Sequence, residues 1–379
     1  MIPRTLFASE HEDFRDTFRR FVDAEIVPHH ERWEEQQCVD REIWDKAGEH
    51  GFLCVTMPEV YGGAGADRLY SVVMMEELSR AGASGIGFPL HTDIVANYIN
   101  NFGNDDQKQY WLPRMASGEL VSAIAMTEPG TGSDLQAIST TAVEDGDDYV
   151  LNGSKTFITN GVLSDLVIVI AKTGTTGAGA KDISLLLVET DSPGFSKGKP
   201  LKKIGLKAQD TCELFFEDLR VPRKNLLGQE GAGFIALMQE LAWERMIIAI
   251  TSIAGAEAAL ADTLEYTKNR KVFGKPVAAF QNSRFKLAEM KAELGIGRVY
   301  VDRCLELVLN DQLDIDDAAA AKYWCSDLMG RVIDECLQLH GGNGYMLEYP
   351  IARAWIDARA QRIYGGTNEI MKELIARTL

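Results

Sequence analysis

The sequence predicts an α+β protein with its helices and strands segregated along the chain. Three observations carry this. Residues 1–120 hold helix-period apolar patterns, residues 121–230 hold short apolar runs between turn signals, and from Gly231 the helical pattern returns and persists. Strands that do not alternate with helices argue against a βαβ arrangement. The expected organisation is an N-terminal α-helical domain (1–120), a middle β domain (121–230) and a C-terminal four-helix bundle (231–379). The 379 residues allow two or three domains.

In order along the chain, Ser9-x-x-Glu12 predicts a capping box. Phe14, Phe18, Phe21 and Val22 then form one helical stripe, and Pro28 weakens the helix beyond it. A second helix is expected over 41–50, stopped by Gly51, then a turn-rich loop over 57–63 and helices over 68–81 and 94–102. Residues 121–126 read as a strand. Residues 140–143 and 149–151 flank Glu-Asp-Gly-Asp-Asp, a hairpin signal. The apolar runs 166–170 and 183–188 suit buried strands, with a Gly/Thr/Ala-rich, mobile loop expected over 173–180. A further strand covers 214–216. Four helices are expected over 232–270, 277–310, 316–339 and 350–376, the last two separated by Gly341-Gly342-Asn343-Gly344.

Composition narrows the function. Hydrophobic residues at 46% and charged residues at 25% fit an ordinary folded soluble chain. The 39 basic and 56 acidic side chains leave a net charge of −17, which works against phosphate-backbone binding, so no nucleic-acid partner is expected. An anionic small molecule stays open, because a local basic pocket can exist on an acidic surface. The six cysteines form no CxxC pair and read as reduced, mostly buried thiols. The N-terminal residues lack an export signal's long apolar stretch, and 166–171 is too short for a membrane span. The expected setting is the cytoplasm, or an organelle matrix if a targeting peptide is missing.

Familiar catalytic patterns are absent. There is no HExxH; Gly130-Thr131-Gly132 lacks the third glycine of a dinucleotide fingerprint; residues 174–181 miss the P-loop spacing; and there is no GxSxG elbow. Three other segments stand out. Met126-Thr127-Glu128-Pro129-Gly130-Thr131-Gly132-Ser133-Asp134 ends a strand in a hydroxyl- and glycine-rich loop, where backbone N–H groups can approach a ligand; its plain alternative is a capped β-turn. Lys155-Thr156-Phe157-Ile158-Thr159 places Phe157 and Thr159 on one strand face, which suits a flat, hydrogen-bonding ring; alone, Phe157 reads as core. Arg270-Lys271-Val272-Phe273, with Gln281 beyond it, offers cations to a pyrophosphate; alone, it reads as a solvated helix end.

Taken together, these motifs resemble the acyl-CoA dehydrogenase family. Two late segments, Gln338-Leu339-His340-Gly341-Gly342-Asn343-Gly344-Tyr345 and Ile363-Tyr364-Gly365-Gly366-Thr367-Asn368-Glu369-Ile370, are also similar to that family's signatures, so the resemblance spans essentially the whole chain. It implies FAD, α,β-dehydrogenation of an acyl-CoA thioester, and transfer of electrons to electron-transfer flavoprotein. By position it implies that Thr127 and Thr159 hydrogen-bond the flavin, with Phe157 packing near it. Met126, Gly132 and Ser133 line the flavin and its phosphates, and Ser133 is also assigned to the CoA moiety. Arg270, Phe273 and Gln281 meet the FAD of a neighbouring subunit, as do Gln338, Gly341 and Gly342 across an interface, and Thr367 and Glu369 are the last cofactor contacts. Shared sites of this kind imply a homo-oligomer, with a tetramer as the family expectation.

The base departs from the commonest family pattern. Many members carry a glutamate where this chain has Gly365, in Tyr364-Gly365-Gly366. The isovaleryl- and long-chain branches place it before an arginine on the helix opening the last domain. Here that is Glu244-Arg245, so Glu244 is assigned as base and Arg245 as its structural or substrate-side neighbour, with Tyr364, Gly365 and Gly366 also against substrate. Glu240, one turn earlier, is the rival, and two ordinary surface carboxylates are the plain alternative. Moving the carboxylate from 244 to 365 is expected to restore partial activity. Competing readings are an acyl-CoA oxidase or flavin monooxygenase on the same scaffold, a non-catalytic assembly protein of that fold, or a helical scaffold with no cofactor.

Overall fold

The computed structural model describes residues 2–174 and 179–379. The N-terminal part holds α1 (Ser9–Phe21), α2 (His30–Gln36), α3 (Glu42–Glu49), α4 (Arg68–Arg80), α5 (Ala96–Phe102) and α6 (Asp105–Ala116). Phe18, Phe21 and Val22 of the expected stripe are buried with Trp33, Trp44 and Phe52. The expected Ser9 cap is not used. Ala8 is the N-cap residue, and its N–H donates to His11 Nδ1 at 3.0 Å, so the helix starts one residue early and an imidazole replaces the glutamate. Beyond α1 the chain tightens through a π-helical turn, Val22–Ile26, and a 3₁₀ turn, Val27–His29, that contains Pro28. A second π-helical turn, Leu90–Val95, leads directly into α5. α6 was not expected. Its N-terminus is fixed by Asn104 and Gln107, whose side chains accept each other's backbone N–H at 2.8 and 3.1 Å.

The middle part is a mixed sheet of β1 (Ser122–Ala125), β2 (Thr141–Asp145), β3 (Asp148–Thr159), β4 (Leu166–Lys172), β5 (Ile183–Glu189), β6 (Phe195–Lys197), β7 (Thr211–Pro222) and β8 (Leu226–Leu227). The order is β6-β7-β3-β2-β4-β5-β8, with β1 parallel to β4. β4 and β5 are buried along almost their whole length, which explains their unbroken apolar runs. Side chains from one face, including Ile168, Ile170 and Leu185, share a core with Tyr98, Trp111 and Leu237 from both helical parts. The loop expected between β4 and β5 falls partly on residues 175–178, which lie outside the described residues.

The C-terminal part contains α7 (Gly233–Asn269), the two-stranded hairpin β9 (Lys271–Val272) and β10 (Lys275–Pro276), α8 (Gln281–Leu309), α9 (Ile315–His340), α10 (Pro350–Ala358) and α11 (Asn368–Ala376). The expected fourth helix is therefore two short ones. Gly365 and Gly366 adopt φ of 65° and 90°, values that end a right-handed helix. α7 is long and apolar enough to cross a bilayer by length and composition alone. Most of that stretch, however, is buried among α4, α8 and α9, as a core helix is.

Candidate active site

A cavity of about 1340 Å³ runs between the sheet, α4, the turn before α5, α7 and the Gly365-Gly366 turn. Ordinary small-molecule pockets occupy roughly 300–1,000 Å³, so there is room for more than one ligand. Met126, Thr127, Gly132, Ser133, Phe157 and Thr159 line it from the sheet side, and Glu244, Arg245, Tyr364, Gly365 and Gly366 line it from the helical side.

The loop after β1 is built from its own backbone. Glu128 and Thr131 exchange N–H···O bonds of 2.9 and 3.0 Å, and the turn between them holds Pro129 and Gly130. The Glu128 side chain turns inward and is almost fully buried. It accepts from Ser139 N and Oγ at 2.6 and 2.7 Å, from Thr140 N at 3.0 Å and from Lys155 Nζ at 2.9 Å. Burial alone would raise its pKa, but these donors outweigh it and hold it near about 2. Lys155 also donates to Met126 O at 3.1 Å, and burial brings its ammonium down to about 8. Thr156 N donates to Thr127 O at 2.9 Å. β3 thus clamps the loop that carries Thr127 and Ser133.

Phe157 lines the cavity by a different route from simple alternation. The β3–β7 register breaks between Lys155 and Ile158, and Phe157 lies in that break with φ of 59°. The bulge turns the ring out of the sheet, leaving it 67% exposed as a flat cavity wall.

Opposite stands Glu244, 8% exposed on α7. Tyr98 Oη donates to its Oε1 at 2.9 Å. Burial raises the carboxyl to about 7; the Tyr98 bond and Arg245 pull it down, and the neighbouring Glu240 pushes it up. Burial likewise raises Glu240, against a 2.6 Å bond from Asn101 Nδ2. Glu240 is buried but does not line the cavity. Burial lowers the Arg245 guanidinium while Glu244 opposes that effect, and among the described residues Arg245 Nε is sealed without a partner. The Gly365-Gly366 turn is held from α9: the buried Lys322 Nζ donates to Gly366 O at 2.7 Å and to Asn368 Oδ1 at 2.8 Å.

The remaining expected residues lie outside this cavity. Arg270, Gln281, Gln338, Gly341, Gly342 and Glu369 are on the surface, and Phe273 is 96% exposed at the tip of the β9–β10 hairpin. Thr367 caps α11, its Oγ1 accepting from Ile370 N at 3.4 Å. Sequence reasoning missed Tyr98, the Glu128–Lys155 pair and Lys322. The one available signal was the spacing of Tyr98 and Asn101, three apart and so on one face of helix α5.

The cavity suits FAD. Hydroxyls of Thr127, Thr159 and Ser133 can meet a polar ring edge and Phe157 a ring face. A Cβ built on Gly132 finds no atom within 4 Å, so its backbone is open to a ligand. A near-neutral carboxylate across from such a ring site marks a flavoenzyme that takes hydrogens from adjacent carbons. The chain belongs to the acyl-CoA dehydrogenase family: residues 8–119, 123–219 and 231–379 match that family's N-terminal, middle and C-terminal domains. The mitochondrial long-chain specific acyl-CoA dehydrogenase of Sus scrofa is 52% identical over 377 residues, covering 99% of this chain and 88% of that protein. An acyl-CoA dehydrogenase from Geobacillus kaustophilus matches with a TM-score of 0.98 at 49% identity over 99% of both chains. One from Bacillus anthracis, complexed with FAD, matches with a TM-score of 0.91 at 34% identity, over 98% of this chain and 68% of that one.

Proposed function

We propose that this acyl-CoA dehydrogenase oxidises a long-chain acyl-CoA to the trans-2-enoyl-CoA, with Glu244 as its base and electron-transfer flavoprotein as its electron acceptor. The observation that carries the base is its placement: Glu244 is a nearly sealed carboxyl with a pKa near neutrality, in the same cavity as Thr127, Phe157 and Thr159. A base poised near working pH combines a populated carboxylate with useful proton affinity. The Glu244 carboxylate takes the proton from Cα. The chemistry FAD supplies when bound is acceptance of the hydride from Cβ. Thr127, Thr159 and Ser133 would hold the flavin by hydroxyl groups, Gly132 and Met126 by close approach, and Phe157 by packing. Arg245 and the side-chain-free Gly365-Gly366 turn border the reacting carbons. Leu90, Ile94, Phe234, Met238 and Leu241 give the acyl chain an apolar wall.

The long-chain assignment follows the relative named above and the size of the cavity. A steady-state survey of straight and branched acyl-CoAs is expected to give its highest kcat/KM with long straight chains; a maximum at short or branched ones overturns it. For the base, Glu244→Gln is expected to keep bound flavin while turnover falls by a factor of roughly 10²–10⁴. Glu240→Gln is expected to remain active. Normal turnover in the Glu244 variant removes the assignment.

The surface set Arg270, Phe273, Gln281, Gln338, Gly341 and Gly342 supports a homo-oligomer, a tetramer, in which it meets a neighbouring subunit's cofactor. Among the described residues, the Arg270 guanidinium makes no ion pair or hydrogen bond in its own chain.

A further inference from the structure

The seam between α5 and α7 pairs two polar side chains of one helix with two carboxylates of the other. Tyr98 Oη donates to Glu244 Oε1 at 2.9 Å, and Asn101 Nδ2 donates to Glu240 Oε1 at 2.6 Å. Residues three apart on α5 and four apart on α7 each share a helix face, so the two pairs lie side by side. The π-helical turn Leu90–Val95 sets the rotation with which α5 begins, and π turns recur at functional sites. Tyr98 is wholly buried, so its hydroxyl has a fixed place. Among the described residues Glu244 Oε2 accepts no hydrogen bond, and Glu244 lines the cavity.

We propose that Tyr98 is the positioning residue of the base: its hydroxyl pins Oε1 and leaves Oε2 turned to the substrate's Cα. This rests on the assignment of Glu244. The phenol remains a donor through the working range, because burial and the facing Glu244 charge push its own pKa well above the ordinary value. The other charged groups around the seam are Glu240 and Arg245 on α7, Arg68 on α4, Asp93 in the π turn and Lys322 on α9. Arg68 stacks 4.6 Å from the Trp243 ring and acts on Glu240 and Asp93, and Lys322 acts on Arg245. Among the described residues, none of these charged groups hydrogen-bonds Glu244, whereas Tyr98 does.

The test is the pH profile of kcat/KM for flavin-loaded Tyr98→Phe with a long straight-chain acyl-CoA. Tyr98 favours the carboxylate, so its removal raises the base's pKa. Activity needs the carboxylate, so the rising acidic limb moves to higher pH by about one unit. Near neutrality kcat/KM then falls about fivefold, approaching about tenfold at lower pH, and recovers in alkali. An unchanged profile, or a loss equal at every pH with the limb unmoved, overturns the proposal. If Tyr98→Phe does not load flavin, site-specific replacement of Tyr98 by fluorotyrosine keeps the shape and strengthens the donor. The limb then moves to lower pH, and a stationary limb overturns the proposal. Glu244→Gln measured alongside separates the two failures. Full activity there removes the base itself, whereas an inactive Glu244→Gln beside an unmoved Tyr98→Phe limb removes only the role of Tyr98.

Discussion

At the scale of single residues, the buried Glu244 that we propose as base carries a cost to the fold. Its carboxyl moves from an ordinary 4.5 to about 7. A raised acid binds more protons folded than unfolded between those values, so stability falls as pH rises through that window and is level above it. The shift corresponds to on the order of 3 kcal/mol. Glu244→Gln is therefore expected to melt higher than the parent near about pH 8, with the gap closing below roughly pH 5. Thermal melts at both pH values check this, and equal melting temperatures at the higher one would contradict it. The same scale shows why a glutamate in place of Gly365 would be strained. That residue has φ of 65°, and a Cβ there would collide with Ile248 Cδ1. The exchange Glu244→Gly with Gly365→Glu, which the sequence alone suggests would be partly active, is thus expected to stay nearly inactive because of this strain and collision. Adding Ile248→Ala is expected to raise its turnover by on the order of tenfold, by opening the space the new side chain needs. Turnover assays on the double and triple variants decide between these outcomes.

At the scale of elements, the loop that carries Thr127 and Ser133 depends on a buried ion pair that links it to β3. Lys155→Met leaves Glu128 buried without its cation, an imbalance that costs about 3–5 kcal/mol. The expected result is a clearly lower urea midpoint and weaker flavin retention, with partial recovery of the midpoint when Glu128→Gln is added; unfolding curves and flavin release on dilution measure both. How far elements were legible depended on how local their causes are. β4 and β5 could be read because burial on both faces leaves unbroken apolar runs. α6 was hidden by its polar composition and Pro113, although Asn104 and Gln107 carried the cap that starts it. The helix read across 350–376 failed because the glycines in its middle adopt positive φ, which apolar spacing does not encode. That Thr127, Phe157 and Glu244 share one cavity was legible through their motifs. Tyr98 was not legible, because its partner is 146 positions away and only the packing of α5 on α7 brings them together.

At the scale of the whole molecule, the site residues divide into two sets with different physical surroundings. One lines a single cavity between the sheet and the helical bundle; the other lies on the bundle's surface. Phe273 projects from the β9–β10 hairpin with φ of 50° and is 96% exposed, and Tyr345 and Leu347 leave further apolar surface uncovered. Exposed aromatic surface beside Arg270, a cation unpaired among the described residues, is costly in isolation and sensible where a neighbour covers it. The two sets respond differently to mutation for that reason. Substitutions in the cavity act on chemistry within one subunit. Phe273→Asp is expected to leave the fold of the subunit intact, since its ring makes only an edge contact with Phe280, and to shift the protein to smaller species. Arg270→Glu is expected to keep the assembly but to lose much of its flavin. Sedimentation velocity and the ratio of visible flavin absorbance to protein absorbance read the two effects separately. A monomeric parent with full flavin occupancy would show that the surface set serves no neighbour, while the assignment of Glu244 within its own cavity would stand.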